Sequence, residues 1–300
     1  MGPAVVVDGL RKVYAGRTVV DGISFEVGAG EAVALLGPNG AGKTTTVEVL
    51  EGYRERDGGR VEVLGVDPAA ATGRWRSRIG VVLQDCGSEP YLTVGETIDQ
   101  FRAYYDSPRP TAALLDLVDL GEQAGTRVRR LSGGQRRRLD LAVALVGRPE
   151  VVFLDEPTTG FDPSARRTAW DVIGRLRAEG TTVILTTHYL EEAEVLADRL
   201  LVLAGGRIVA EGTPGELAGR GATTRIGFAA TSAPAGCPVD LHADGRRCWT
   251  DVADPVEPLA RLTVWACHEG HALPDLTVDR RSLEDVYLEL VEACDSSATN

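Results

Sequence analysis

Residues 32–36, Ala-Val-Ala-Leu-Leu, are apolar at every position and run directly into a glycine-rich turn. An unbroken apolar run of strand length belongs to a strand covered on both faces, inside a sheet rather than at its edge. Similar runs recur at 80–83, 151–154, 182–186 and 200–203, with segments of helical spacing between them. Buried strands alternating with helices predict an α/β fold with a mixed, mostly parallel core sheet. Before residue 32 the pattern differs. Pieces at 5–7, 18–20 and 23–27 are short, rich in β-branched residues and broken by polar ones, which predicts an antiparallel flank.

Between residues 96 and 147 the apolar period lengthens to that of helices, over 96–105, 111–118 and 134–146, and this stretch reads as a helical insert. Gly205, Gly206 and the turn Gly212-Thr213-Pro214-Gly215 punctuate the end of the sheet, and after Gly219 the regular alternation is lost. The expected organisation is one large domain over 4–219, its insert at about 96–147, and a small α+β extension over 220–300. The last helix is predicted to start at Ser282 as cap, with Asp285 in its third position. Leu283, Val286, Tyr287 and Leu290 then share one face, which marks a packing helix.

Composition narrows the functional classes. The 300 residues carry 32 Lys and Arg against 44 Asp and Glu, a net charge of −12. Phosphate neutralisation requires clustered basic residues, so no nucleic-acid partner is expected. Only two residues are lysines, Lys12 and Lys43. A lysine kept at position 43 in so arginine-rich a chain points to a site that needs a compact ammonium rather than a planar guanidinium. The apolar runs are far shorter than the ~20 residues that span a bilayer. The first residues show no secretory or myristoylation pattern, so a cytoplasmic chain is expected. The five cysteines, at 86, 237, 248, 267 and 294, are odd in number, lack paired C-x-x-C spacing and read as reduced thiols. Cys248, Cys267, His268 and His271 match no usual zinc-ligand spacing.

The chemistry starts at Gly37-Pro38-Asn39-Gly40-Ala41-Gly42-Lys43-Thr44, which fits G-x-x-x-x-G-K-[ST] between a buried strand and a helical run. Glycines let backbone N–H groups turn inward around phosphates while the following helix presents its positive end. Lys43 is assigned to the β- and γ-phosphates and the Thr44 hydroxyl to Mg²⁺. A second element, 151–156, is an apolar strand ending in Asp155 and Glu156. Neighbouring strand residues face opposite ways, so the two acids take different tasks: Asp155 in the Mg²⁺ shell, Glu156 polarising the attacking water. A third, Leu131-Ser132-Gly133-Gly134-Gln135, stands before a helix, where a hydroxyl and bare N–H groups make a second anion site.

LSGGQ upstream of VVFLDEP, together with GPNGAGKTT, resembles the motif set of the ATP-binding cassette (ABC) superfamily over residues 4–219. The resemblance implies a P-loop NTPase cassette, an ATPase using ATP and Mg²⁺. It also implies that each ATP is closed between the 37–45 loop, Thr45 included, of one cassette and Ser132, Gly133, Gly134, Gln135 and Asp162 of a second, so that a homodimer is expected. Residue by residue, Tyr14 matches the aromatic that stacks on adenine, and Gln84 the glutamine that links Mg²⁺ and water to the membrane partner. Asp162 matches the loop at the partner cassette, and His188 the histidine that senses the γ-phosphate. Phe161, where many relatives have Leu, and Asp140 on the signature helix depart from the pattern.

A single cassette without membrane helices implies a separate integral membrane permease, with the chain peripheral on the inner face of the membrane. The segment 86–97 is the expected contact. The closing SLEDVYLELV at 282–291, with LEGY at 50–53 and EGTPGEL, resembles ATP-binding subunits of the type-2 ABC exporter branch, including drug exporters of the daunorubicin-resistance kind and lipid or polysaccharide exporters. An importer motor and a soluble, non-transport ABC ATPase stand as the alternatives.

Overall fold

The computed structural model describes residues 2–82, 89–218, 224–280 and 283–297. The chain divides into two compact units, Met1–Pro214 with Leu290–Asn300, and Gly215–Glu289.

In the first unit β1 (Val5–Tyr14), β2 (Arg17–Val27), β3 (Ala32–Leu36) and α1 (Lys43–Leu50) lead to β4 (Gly58–Val63), α2 (Gly73–Arg76) and β5 (Ile79–Val82). The helices α3 (Val94–Arg102), α4 (Thr111–Leu117) and α5 (Gly133–Ala144) precede β6 (Val151–Asp155), α6 (Pro163–Ala178) and β7 (Thr182–Thr187). Helix α7 (Leu190–Leu196), β8 (Arg199–Ala204) and β9 (Arg207–Gly212) follow, and α8 (Pro214–Ala218) begins at the last residue before the boundary with the second unit.

Six strands form the core sheet in the order β5-β6-β7-β3-β8-β9, parallel throughout except where β9 returns antiparallel to β8. A separate antiparallel sheet, β2-β1-β4, is the flank. All five residues of β3 are buried, as the unbroken apolar run requires. Val33 and Leu35 join the cluster formed with Val5, Leu10, Val20 and Phe25 of the flank, so one face of the central strand is sealed by the antiparallel sheet. The flank strands are longer than their hydrophobic pattern suggests. β1 continues through the polar Asp8, Arg11 and Lys12: register shifts flank Leu10, Asp8 and Arg11 are exposed, Lys12 lies over the Tyr14 ring, and backbone pairing with β2 resumes from Leu10 to Tyr14.

In the insert, α3 opens with a capping box in which the Thr93 hydroxyl accepts from Glu96 N–H and the Glu96 carboxylate accepts from Thr93 N–H. The three helices lie within two to three residues of their expected positions, the difference falling at their ends.

The second unit holds β10 (Thr224–Ala229), β11 (His242–Ala243), β12 (Arg247–Val252), α9 (Val256–Glu269), β13 (Thr277–Arg280) and the start of α10 (Leu283–Ser297). Its sheet runs β11-β12-β10-β13, antiparallel at each pairing. Ile226, Phe228 and Cys248 from the sheet and Leu262 from α9 form its core. β10 buries three residues and β12 two, while β11 and the described residues of β13 bury none, which is why no alternation stands out along the sequence. On α10, Leu283 and Val286 are buried, in line with the expected packing face, whereas the proposed cap Ser282 lies outside the described residues.

Candidate functional site

β3 lies between β7 and β8 in the sheet, so the chain leaves its C-terminal end at the middle of the molecule's strand ends. The turn that follows is possible only with glycine at two positions. A Cβ on Gly37 would stand 2.3 Å from the Leu203 carbonyl oxygen, and Gly42, the N-cap of α1, has φ 100° with the Val19 carbonyl 2.8 Å from where a Cβ would sit. Asn39 and Gly40 are exposed, Pro38 half-buried, and Ala41 is buried in the core. Gly42 and its neighbours thus bring the N-terminus of α1, whose first N–H groups have no helical partner, to the rim of the sheet.

Lys43, the first residue of α1, is only 5% exposed, and its ammonium donates to the carbonyls of Gly37 at 2.7 Å and Pro38 at 3.2 Å. Burial lowers its pKa from the ordinary lysine value, and the nearby Glu156 and Asp155 carboxylates oppose that shift. Thr44, beside it, directs its hydroxyl to Asp155, 3.2 Å from both carboxylate oxygens. Thr45 is half-buried, and the Thr46 hydroxyl closes back on the Gly42 carbonyl at 2.8 Å.

Asp155 ends β6 directly opposite Thr186 of β7, and the Thr186 hydroxyl donates to the Asp155 carboxylate. The next residue, Glu156, leaves the strand with φ 47°, a left-handed conformation that turns its side chain away from the Asp155 direction. Its N–H is held by the Thr186 carbonyl at 3.2 Å and hydroxyl at 3.0 Å. The Glu156 Oε2 accepts from the Thr159 hydroxyl at 3.1 Å, and Oε1 faces His188 Nδ1 at 3.4 Å. Lys43, Thr44, Asp155, Glu156 and His188 therefore come together, as their sequence assignments require. Thr186 had no assignment, and as one of three threonines in β7, with Thr182 and Thr187, it carries no sequence signal of its own. Arg137 of α5 adds a bond to the Asp155 carbonyl at 3.1 Å, tying the helical insert to the end of β6.

A hydroxyl and a carboxylate within 3.2 Å of each other are hard oxygen donors of the kind Mg²⁺ takes when phosphate oxygens and water complete its shell, so Thr44 and Asp155 fit that ion. Gln84, the remaining expected Mg²⁺ contact, lies outside the described residues.

Tyr14 stands at the end of β1 with Lys12 Nζ 5.3 Å and Arg54 Cζ 5.4 Å from its ring centre, and its hydroxyl is buried without a hydrogen-bond partner among the described residues. Asp57 braces this strand end: its carboxylate accepts from Val13 N–H at 2.6 Å and from Lys12 Nζ at 3.3 Å.

Ser132, Gly133, Gly134 and Gln135 open α5 through a second capping box. The Ser132 hydroxyl accepts from Gln135 N–H at 3.2 Å, and Gln135 Oε1 accepts from Ser132 N–H at 3.0 Å. Asp162 caps α6, its Oδ1 accepting from Ser164 and Ala165 N–H at 2.9 Å each. These two helix starts share one cleft of about 570 Å³, and no residue of 37–45 lines it. One chain thus presents two phosphate-suited surfaces that do not meet.

A third polar feature lies within the LEGY run at 50–53 and carried no assignment of its own. Glu51, the C-cap of α1, is 7% exposed, and burial, with Asp155 and Glu48 adding repulsion, pushes its carboxyl up to about 8.

Comparison with known proteins gives this geometry a context. The ABC transporter family model matches residues 20–159. The Nod factor export ATP-binding protein I of Ralstonia nicotianae is 40% identical, covering 96% of this chain and 94% of its own. The daunorubicin resistance ATP-binding protein DrrA3 of Streptomyces coeruleorubidus is also 40% identical, with 96% of this chain and 95% of that protein covered. Among solved structures, cbiO1 from Clostridium perfringens, part of the ABC transporter complex cbiONQ, superposes with a TM-score of 0.66 at 25% identity over 73% of this chain and 92% of its own. A dimeric ATP-binding cassette in a post-hydrolysis state bound to ADP and Pi shares the fold, with a TM-score of 0.63 at 23% identity over 70% of this chain and 98% of that one.

Proposed function

On the premise that this chain belongs to the ATP-binding subunits of ABC transporters, we propose that it drives export of a drug, antibiotic or lipid-like substrate through a separate membrane permease. The chain is an ATPase of the cassette fold. The proposal takes residues 4–219 as the motor domain and 220–300 as an extension, and it places the chain on the inner face of the membrane, held there by the permease. Among the described residues no helix is long and apolar enough to cross a membrane. The names of relatives aligned over nearly their whole length support export over import.

The observation that carries the reaction is the convergence of Lys43, Thr44, Asp155, Glu156 and His188 at the ends of β3, β6 and β7. Main-chain N–H groups of 37–45 would cradle the phosphates, with Lys43 exchanging its loop carbonyls for the β- and γ-phosphate oxygens. Thr44 and Asp155 would hold Mg²⁺, with Gln84, and the ion supplies charge neutralisation on those oxygens. Glu156 takes a proton from the attacking water, and His188 holds the Glu156 carboxylate and faces the γ-phosphate. Tyr14 provides the face on which adenine stacks. The surface at Ser132, Gly133, Gly134, Gln135 and Asp162 lies in a different cleft, so it would complete the site of a second copy.

The test is a pair of measurements on the purified chain. ATP should be hydrolysed, and Glu156→Gln should accumulate an ATP-dependent dimer in sedimentation that Ser132→Arg abolishes. A wild-type chain that hydrolyses ATP while Glu156→Gln stays monomeric at saturating ATP removes the two-copy site. Failure to bind any permease in co-purification from membranes removes the transport reading.

A further inference from the structure

His188 follows β7 on the two-residue connection to α7, and its side chain is 36% exposed. The 3.4 Å from Nδ1 to Glu156 is long for a hydrogen bond and does not by itself fix the plane of the ring. A second contact does more. The Tyr189 ring lies 4.1 Å from the imidazole, centre to centre, at an interplanar angle of 39°. Behind it, the Arg166 guanidinium of α6 stands 4.4 Å from the centre of the Tyr189 ring.

Ordinary packing does not account for this stack. Tyr189 is the N-cap of α7, and its side chain makes no capping bond, although Ser, Thr, Asp or Asn there would satisfy one of the helix's free N–H groups. The position gives up helix stability for an aromatic ring beside His188. Arg166 has no hydrogen bond or ion pair from its guanidinium among the described residues, and its Nε is buried without a partner. The joint between α6 and α7 is held elsewhere. Glu192, fully buried in the first turn of α7, accepts from the Thr158 hydroxyl at 2.8 Å and from Trp170 Nε1 at 3.2 Å. Trp170 lies one turn after Arg166 on the same face of α6, so the two reach the start of α7 side by side. With the helices pinned at Glu192, the Arg166–Tyr189 pair is left to act on the imidazole.

We infer that Tyr189, backed by Arg166, is the positioning residue of His188: its ring confines the imidazole to the orientation in which Nδ1 faces Glu156. The inference rests on the reading of His188 as the side chain that holds the base and faces the γ-phosphate. Aromatic rings prefer a small set of offset and tilted arrangements, so Tyr189 limits the torsions open to an exposed His188 while giving the reaction no donor or acceptor of its own. The cation over its ring holds Tyr189 in turn. What the pair changes is the share of ATP-loaded enzyme that is ready to react, and therefore kcat rather than KM.

The test is ATP hydrolysis by the full chain, with thermal unfolding recorded for each variant. Tyr189→Asn removes the ring and supplies the cap that Tyr lacks, so kcat should fall about tenfold, with KM for ATP and the unfolding temperature close to wild type. Tyr189→Phe keeps the ring and should hydrolyse like wild type. Arg166→Gln should lose part of the rate, and Arg166→Lys should restore it. In a His188→Ala background, Tyr189→Asn should have no further effect. If that background is too slow to assay, the His188 imidazole resonance, one of four in the chain, carries the test. It should broaden or shift in Tyr189→Asn and Arg166→Gln and stay in place in Tyr189→Phe. An unchanged kcat in Tyr189→Asn overturns the inference, as does an equal loss in Tyr189→Phe, an undiminished loss on top of His188→Ala, or a His188 resonance that no variant moves. A rate loss that tracks the unfolding temperature also overturns it, because packing then explains the effect. His188→Ala hydrolysing at the wild-type rate sinks the reading of His188 itself, and this inference with it.

Discussion

Nδ1 of His188 lies 3.4 Å from Oε1 of Glu156, while the other oxygen of the same carboxylate accepts from Thr159 at 3.1 Å. The two contacts fix the carboxylate plane, and a backbone at φ 47° turns it off the line of β6, away from Asp155. Glu156→Gln keeps the shape but removes the base. ATP binding should persist while phosphate release falls about 10²–10⁴-fold. Fluorescent-nucleotide binding and single-turnover release measured side by side check this, and unchanged release would rule Glu156 out as the base.

Thr186 ties the two acids together, donating to Asp155 and accepting from the Glu156 N–H. Thr186→Val is close to isosteric but leaves the half-buried Glu156 N–H on the Thr186 carbonyl alone and the Asp155 carboxylate on the Thr44 hydroxyl alone. Stability should drop by about 0.5–1.5 kcal/mol, and kcat should fall with little change in KM. A kcat equal to wild type, with thermal unfolding recorded alongside, would show that Asp155 and Glu156 keep their places without it.

Gly37 admits no side chain. With a Cβ 2.3 Å from the Leu203 carbonyl, Gly37→Ala must displace the phosphate loop or β8. The expected cost is about 1–3 kcal/mol, with loss of ATP binding at concentrations that saturate wild type. Calorimetric titration reads both, and retained affinity would mean that the loop relaxes.

Asp57 holds the strand end that carries Tyr14, and bonds to Val13 N–H and Lys12 keep its carboxyl below the usual aspartate range. Asp57→Ala should raise KM for ATP several-fold and leave kcat alone, as should Tyr14→Ala. If both together raise KM no more than either alone, the two act as one unit; full additivity would separate Asp57 from adenine binding.

Glu51 makes the isolated chain sensitive to pH. Its folded-state pKa, about 8, is raised above the ordinary 4.5, so the folded chain holds a proton that the unfolded chain releases. Stability therefore falls as pH rises from 4.5 to 8 and levels off above, by an amount on the order of a few kcal/mol. Glu51→Gln should remove that fall, matching wild type near pH 4.5 and exceeding it at pH 8 in chemical denaturation. Parallel curves for the two proteins would show that Glu51 ionises freely in the fold.

Much of this was legible along the chain because it is local. A five-residue apolar run specifies a buried strand, G-x-x-x-x-G-K-T specifies a turn onto a helix start, and two acids after an apolar strand specify a charged strand end. The flank was less legible: β1 extends through Asp8, Arg11 and Lys12, where bulges and backbone pairing override the hydrophobic pattern. The sheet of the second unit left little trace because no strand of it buries more than three residues and β11 buries none.

What the sequence by itself determined is the inventory and its local geometry: Lys43 and Thr44 at the start of a helix, Asp155 and Glu156 at the end of a strand, Ser132 at a helix start. Each depends on neighbours within a turn or two, where backbone hydrogen bonding and side-chain spacing suffice. Only the tertiary structure decided which of them meet. Strand order sets β6 beside β7 and β7 beside β3, which brings Thr44 to Asp155 across 111 residues and Thr186 between the two acids. The same packing buries Glu51 at the end of α1, because burial is a property of what surrounds a side chain and not of the side chain itself.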